Sequence, residues 1–139
     1  MIIAGIDIGV HGAIAILHVG ERRPTVEVHD MPILHDGPVT KAGKRRATIN
    51  GPLLAAIMAQ SHADHAYVEH VAARPGEGAV GAFSFGRCRG IIEGVCAGLS
   101  IPVTFLTPAV WKKLVHLPAG KEDAKEAARS KAKIGRAHV

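Results

Sequence analysis

Negative charge is scarce in this chain of 139 residues, where twelve Asp and Glu stand against seventeen Lys and Arg and the pI is near 9.6. That surplus of +5 leans toward a polyanionic partner. Aromatics are scarcer still, at 4% of residues, and we read Trp111, Phe83, Phe85 and Phe105 as core packing rather than as base-stacking platforms. The two cysteines, Cys88 and Cys96, form no Cys-x-x-Cys pair. This excludes a disulfide framework, and it leads us to expect two small buried groups in a reduced, cytoplasmic protein without a secretory leader. No apolar run approaches the roughly 20 residues that a membrane-spanning helix needs. What is present is 47% hydrophobic residues, enough for the core of one compact domain.

Residues 2–8, IIAGIDI, and 12–19, GAIAILHV, are apolar runs on either side of Gly-Val-His-Gly, the pattern of two antiparallel strands and a short turn. TVEVHDM at 25–31 alternates more cleanly, which suits an edge strand with one exposed face. The next stretch, PILHDGPVTKAGKRRATIN, is rich in proline, glycine and basic residues and reads as a long mobile connection. Asn50 is a plausible N-cap and Pro52 fits the first turn of a helix through LLAAIMAQSHA. HAYVEHV at 65–71 reads as a buried strand, followed by a glycine-rich loop, a helix over about 79–99, a strand IPVTFL, a short helix to Leu114 and a charged helix starting at GKEDAKEAARSKAK. Three antiparallel strands followed by alternating helix and strand predict an α/β fold, a mixed five-stranded sheet with helices on both faces.

Two acids sit where acids are costly. Asp7 lies in the first apolar run and Glu69 in YVEHV. A buried carboxylate calls for a metal ion or a cationic partner. Asp7 also fits a turn cap before Gly9, and on position alone the two readings stand level. Glu69 alone reads as an exposed edge residue. Two lone acids in two strands of one small sheet can meet, however, and paired carboxylates bind a hard divalent cation through oxygen. Mg²⁺ with phosphate esters is then the natural chemistry.

In order and at similar spacing, GIDIGVHGAIAI, YVEHV, GRCRGIIEGV, IPVTFLTPAVWKKLV and GKEDAKEAARSKA resemble the RuvC Holliday-junction resolvases, of the RNase H-like superfamily, most closely their short phage and prophage forms. The resemblance covers residues 2–132. It implies an RNase H-like fold and a homodimeric, structure-selective endodeoxyribonuclease acting on branched DNA. It further implies a site of four acids holding two Mg²⁺ ions, with Mn²⁺ possible in their place, of which Asp7 and Glu69 are two. The other two belong to an alanine-rich helix beyond the lysine-rich segment, and this chain stops before it. We read Glu122, Asp123 and Glu126 as solvated surface at a helix start. The family's aromatic near the second acid is replaced by Val71, Ala72 and Ala73, which bears on junction specificity. KIGRAHV at 133–139 can be encoded by AAGATCGGAAGAGCACACGTC, which resembles a sequencing-library adapter. We therefore expect a non-native tail after a nuclease domain spanning 1–132, with this chain itself inactive in cleavage.

The resemblance places phosphate-contacting lysines at Lys112, Lys113 and Lys121. Lys44, Arg45 and Arg46 form a dense cluster that could follow a nucleic-acid backbone, and Arg74, Arg87 and Arg89 flank the glycine-rich loop and the helix after it. Solvated helix faces and a soluble loop compete with these readings. Nine histidines show no zinc-ligand spacing; His11 and His70 merely lie near the two acids in sequence. Two other readings compete: an inactive nucleic-acid-binding domain of the same fold, and a fragment of an actin-like or sugar-kinase ATPase. The latter shares the Gly-x-Asp-x-Gly opening but requires a second domain.

Overall fold

The computed structural model describes residues 1–20, 23–70, 72, 76, 78–114 and 116. Arg74, Lys121, the charged helix expected from residue 121 onward and the tail 133–139 lie outside them. The chain divides into two compact units, Met1–Phe105 and Leu106–Val139.

The first unit is built on a sheet of order β3-β2-β1-β6-β7. Its strands are β1 (Ile2–Ile6), β2 (Ala13–His18), β3 (Thr25–Asp30), β6 (His65–Glu69) and β7 (Val103–Leu106), the last ending one residue beyond the unit. β1 runs antiparallel to β2 and parallel to β6, and β2 runs antiparallel to β3, so the mixed five-stranded sheet expected from the sequence is present. Period-two alternation sends Ala4 and Ile6, Ile14 and Ile16, and Ala66 and Val68 to one face. There they form the core with Leu54 and Met58 of α1 (Gly51–Ser61) and Cys88, Ile92 and Cys96 of α2 (Ala79–Gly98). Both cysteines are buried and free, as expected.

Each helix starts and stops for local reasons. The Asn50 side chain accepts from the Leu53 N–H at 3.1 Å, a cap worth about 1 kcal/mol, and the α1 backbone turns left-handed at His62. α2 buries only the stripe through Cys88, Ile92 and Cys96. Phe83 projects from its other side and is 77% exposed, against the expectation that it packs in the core. Ile14 has no exposed surface, and Ile14→Val is expected to cost about 0.5–1.5 kcal/mol, read as a lower urea midpoint at unchanged slope.

Two parts of the fold depart from the sequence reading. β3 is an edge strand, but both its faces are open, with Val26 and Val28 exposed. On the opposite face of the sheet Val26 and Val28 lie level with Leu17 and Ala15. The second departure concerns 32–49, read as a loose connection. It holds a short ladder of β4 (Ile33–Leu34) with β5 (Thr48–Ile49), closed by a hairpin in which the Gly37 N–H donates to the Arg46 carbonyl at 3.1 Å, the Arg46 N–H to the Pro38 carbonyl at 3.1 Å and the Thr40 N–H to the Lys44 carbonyl at 2.8 Å. Gly43 closes the hairpin at φ +74°, the left-handed turn conformation glycine favours. In the second unit, Thr107 caps α3 (Pro108–Leu114), its carbonyl accepting from Val110 and Trp111.

Candidate active site

Asp7 follows the last residue of β1 and Glu69 is the last residue of β6. The parallel register pairs Ile6 with Val68, and the next step places Asp7 beside Glu69. Alternation turns both away from the helix-covered core, one strand spacing of about 4.8 Å apart. They also share a hydrogen bond. Ligand sites of α/β sheets form outside the carboxyl ends of parallel strands, and this pair stands at two such ends.

Local backbone chemistry holds Asp7 there. Its N–H donates to the Ala13 carbonyl at 3.0 Å, extending the β1–β2 ladder by one bond. The turn from Gly9 to Gly12 then passes directly over the Asp7 carbonyl. A Cβ on Gly12 would overlap that oxygen and lie 3.1 Å from the Gly9 carbonyl oxygen, so only glycine fits. Asp7 thus ends the strand and enters the turn while meeting a second carboxylate.

The electrostatics reflect the meeting. The Asp7 pKa is raised above the usual carboxylate value by partial burial first, then by the charge of Glu69 and their hydrogen bond. Although Asp7 remains exposed as a residue, its carboxyl faces a like charge on its covered side. A folded-state pKa above the unfolded one means the folded protein binds the extra proton. Its stabilising contribution is therefore present at low pH and is lost as pH rises through the Asp7 pKa. In Glu69→Gln the like charge is gone and an amide can donate instead. The Asp7 midpoint, followed by carboxyl carbon NMR, is expected to fall; an unmoved midpoint would show that the two groups do not interact.

A third acid shares the row. Ala13 pairs with Asp30 of β3, so Asp30 lies on the same sheet face as Asp7, two strands away across a small side chain. The sequence reading missed it, although the alternation Val26, Val28, Asp30 contains the signal. Among the described residues no three His, Cys, Asp or Glu side chains are gathered at metal-binding distance.

The basic residues fall into separate settings. Lys44, Arg45 and Arg46 are exposed on the hairpin, where an Arg45 Nη1 donates to the Gly37 carbonyl at 3.5 Å. Arg87 pairs with Asp36 at 4.0 Å. The Asp36 carboxyl is held below its usual range by a hydrogen bond from Thr48 first and by the charge of Arg87 next. Arg89 is braced from three sides: its Nε donates to Glu93 at 2.7 Å, an Nη donates to His70 Nε2 at 3.4 Å, and its guanidinium lies 4.4 Å from the Phe105 ring centre. His70 engages Arg89 and Phe105, while His11 stands exposed in the turn after β1. Lys112 and Lys113 belong to α3 in the second unit, where Lys112 Nζ lies 5.9 Å from the Trp111 ring centre.

No family model matches this sequence, and no curated protein matches it. Solved structures do. The chain is similar to T. thermophilus RuvC in complex with Holliday junction substrate, at TM-score 0.61 and 16% identity over 89% of this chain and 74% of that one. It is also similar to a second Thermus thermophilus RuvC structure, at TM-score 0.55 and 17% identity, with 88% and 75% covered. The fold is therefore RuvC-like, as the ordered motifs led us to expect.

Proposed function

We propose that this chain is the nuclease domain of a RuvC-type resolvase, a homodimer that hydrolyses phosphodiester bonds in branched DNA. The observation that carries the reading is the contact of Asp7 with Glu69 at the ends of two parallel strands, in a fold whose solved counterpart is a complex with Holliday junction substrate. An all-oxygen donor pair of two carboxylates fits a hard divalent cation. Asp7 and Glu69 would hold Mg²⁺ in a two-ion site, Mn²⁺ substituting, and the bound ions would supply Lewis-acid stabilisation of charge on the phosphate and activation of the attacking water. Asp7 must give up its proton to serve as a ligand, so binding strengthens as pH rises through its pKa. Two further acids complete the quartet implied by the resemblance.

The basic residues supply affinity without reading sequence. Lys44, Arg45, Arg46 and Arg87 present charge from the hairpin and α2, Lys112 and Lys113 from α3, and Arg74 and Lys121 belong to the same proposal. Arg89, braced by Glu93 and His70, offers a guanidinium of fixed orientation. The exposed Phe83 and Val80 of α2 support self-association. No helix among the described residues is long and apolar enough to cross a membrane. The cytoplasmic placement we propose rests on cysteine usage, Cys88 and Cys96 being buried and free.

The test is cleavage of an end-labelled four-way DNA junction beside a linear duplex of the same sequences, with and without Mg²⁺, by a protein that carries all four acids. Mg²⁺-dependent nicking confined to the junction supports the proposal. Tight junction binding without nicking would favour the inactive binding domain, and the absence of both would overturn the reading.

A further inference from the structure

Arg89 makes more contacts within the protein than a surface cation needs. Its side chain leaves the middle of α2 and is 33% exposed. The bond from its Nε to Glu93 Oε1, one turn further along the helix, fixes the plane of the guanidinium. The guanidinium only donates, so His70 Nε2 accepts from its Nη1, and its carbon lies over the Phe105 ring. His70 in turn meets Phe105 edge-on, with ring centres 6.0 Å apart and planes at 87°. His70 directly follows Glu69, the last residue of β6, and Phe105 belongs to β7, the neighbouring strand of the sheet. One guanidinium therefore joins α2 to the end of β6 and to β7.

The two residues at that end of β6 leave it in opposite directions. Glu69 turns away from the helix-covered core, beside Asp7, whereas His70 reaches Arg89 on the α2 side. We infer that Arg89 is a positioning residue for Glu69: through His70 and Phe105 it holds the end of β6 where Glu69 meets Asp7. The inference rests on the reading of Asp7 and Glu69 as the metal-holding pair, and it goes beyond the phosphate contact that charge alone would supply. β6 ends at Glu69, so the ladder gives no pairing beyond that residue, and the contact with His70 takes its place. The turn through Gly12 does the same for Asp7 on β1. Lysine would keep the charge at position 89, but it lacks a planar fork that places one N–H on Glu93 and another on His70 while its face lies on Phe105.

The experiment compares Arg89→Lys, His70→Leu and His70→Gln, each shown by circular dichroism to be folded. In the full chain without metal, nuclear Overhauser contacts between the Asp7 and Glu69 side-chain protons report the acid pair, and those between Ala4 and Ala66, paired across β1 and β6, report the sheet. Arg89→Lys and His70→Leu should weaken the first set and leave the second. His70→Gln should restore the first set, because its amide oxygen again accepts from Arg89. In a protein that carries all four acids, Arg89→Lys and His70→Leu should lower single-turnover cleavage at saturating four-way junction by about ten- to a hundredfold. Junction affinity should stay within about threefold of the parent, the split expected of a group that positions and does not bind. Unchanged Asp7–Glu69 contacts in both Arg89→Lys and His70→Leu would overturn the inference, and so would weakened affinity at an unchanged saturated rate, the mark of a phosphate contact. Weakened acid-pair contacts in variants of a parent that never nicks the junction would support the link from Arg89 to Glu69 while overturning the nuclease reading.

Discussion

In a protein that carries all four acids, Asp7→Asn is expected to lower Mg²⁺-dependent cleavage of a four-way junction by about a thousandfold or more, with junction affinity changed less than about threefold. A thousandfold corresponds to roughly 4 kcal/mol of transition-state stabilisation, the order of effect available when a divalent cation offsets charge on a phosphoryl group. The amide is nearly the same size and keeps the Asp7 backbone bond to Ala13, so the loss would come from charge and not from collapse of the turn. Removing one of two facing carboxylates also relieves repulsion. Above the raised Asp7 pKa the variant should therefore resist urea at least as well as the parent, an advantage that disappears at acid pH, where Asp7 is protonated. Measuring single-turnover cleavage, junction affinity and the urea midpoint on one preparation separates these effects. Undiminished cleavage would remove Asp7 from the site.

The second large effect is expected at Gly12, whose own side-chain hydrogen touches no ligand. In Gly12→Ala the methyl group meets the Asp7 carbonyl, and neither partner can swing aside because both are backbone. The Gly12 N–H is tied to the Gly9 carbonyl at 3.1 Å and its carbonyl accepts from the Met31 N–H at 3.0 Å, so the turn is fastened at both ends. Relief must come from the end of β1 itself. We expect about 2–4 kcal/mol of destabilisation. A displacement of Asp7 near 1 Å should cost cleavage about a hundredfold beyond what unfolding explains. The checks are the urea midpoint and the cleavage rate at a temperature where the variant remains folded. A stable variant with full activity would show that the turn does not position the acid.

The residues that carry the proposed chemistry were legible because they break a pattern. Asp7 and Glu69 each interrupt an apolar run, and a lone charge there needs a reason. Their adjacency was not legible. It depends on parallel pairing between strands about 60 residues apart, and no local rule sets that register. Asp30 was passed over for the opposite reason: polar residues are common on an edge strand, so one more carries no signal until Ala13 is known to separate it from Asp7. The hairpin around Gly43 hid behind two prolines and a run of basic residues, which resemble loop composition whether or not the backbone closes on itself.

The ladder between β1 and β6 also acts as a counting device. Side chains alternate with every residue, so inserting or deleting one residue between Ile3 and Asp7 would turn the carboxylate toward Ala4, Ile6 and Val68, where it would be buried and without its partner. No small movement repairs an error of parity. Lengthening the chain in the loop after Glu69, by contrast, leaves the pair in place. The spacing of the two acids is thus fixed in whole residues, and such a site can vary its surroundings freely only beyond the strand ends.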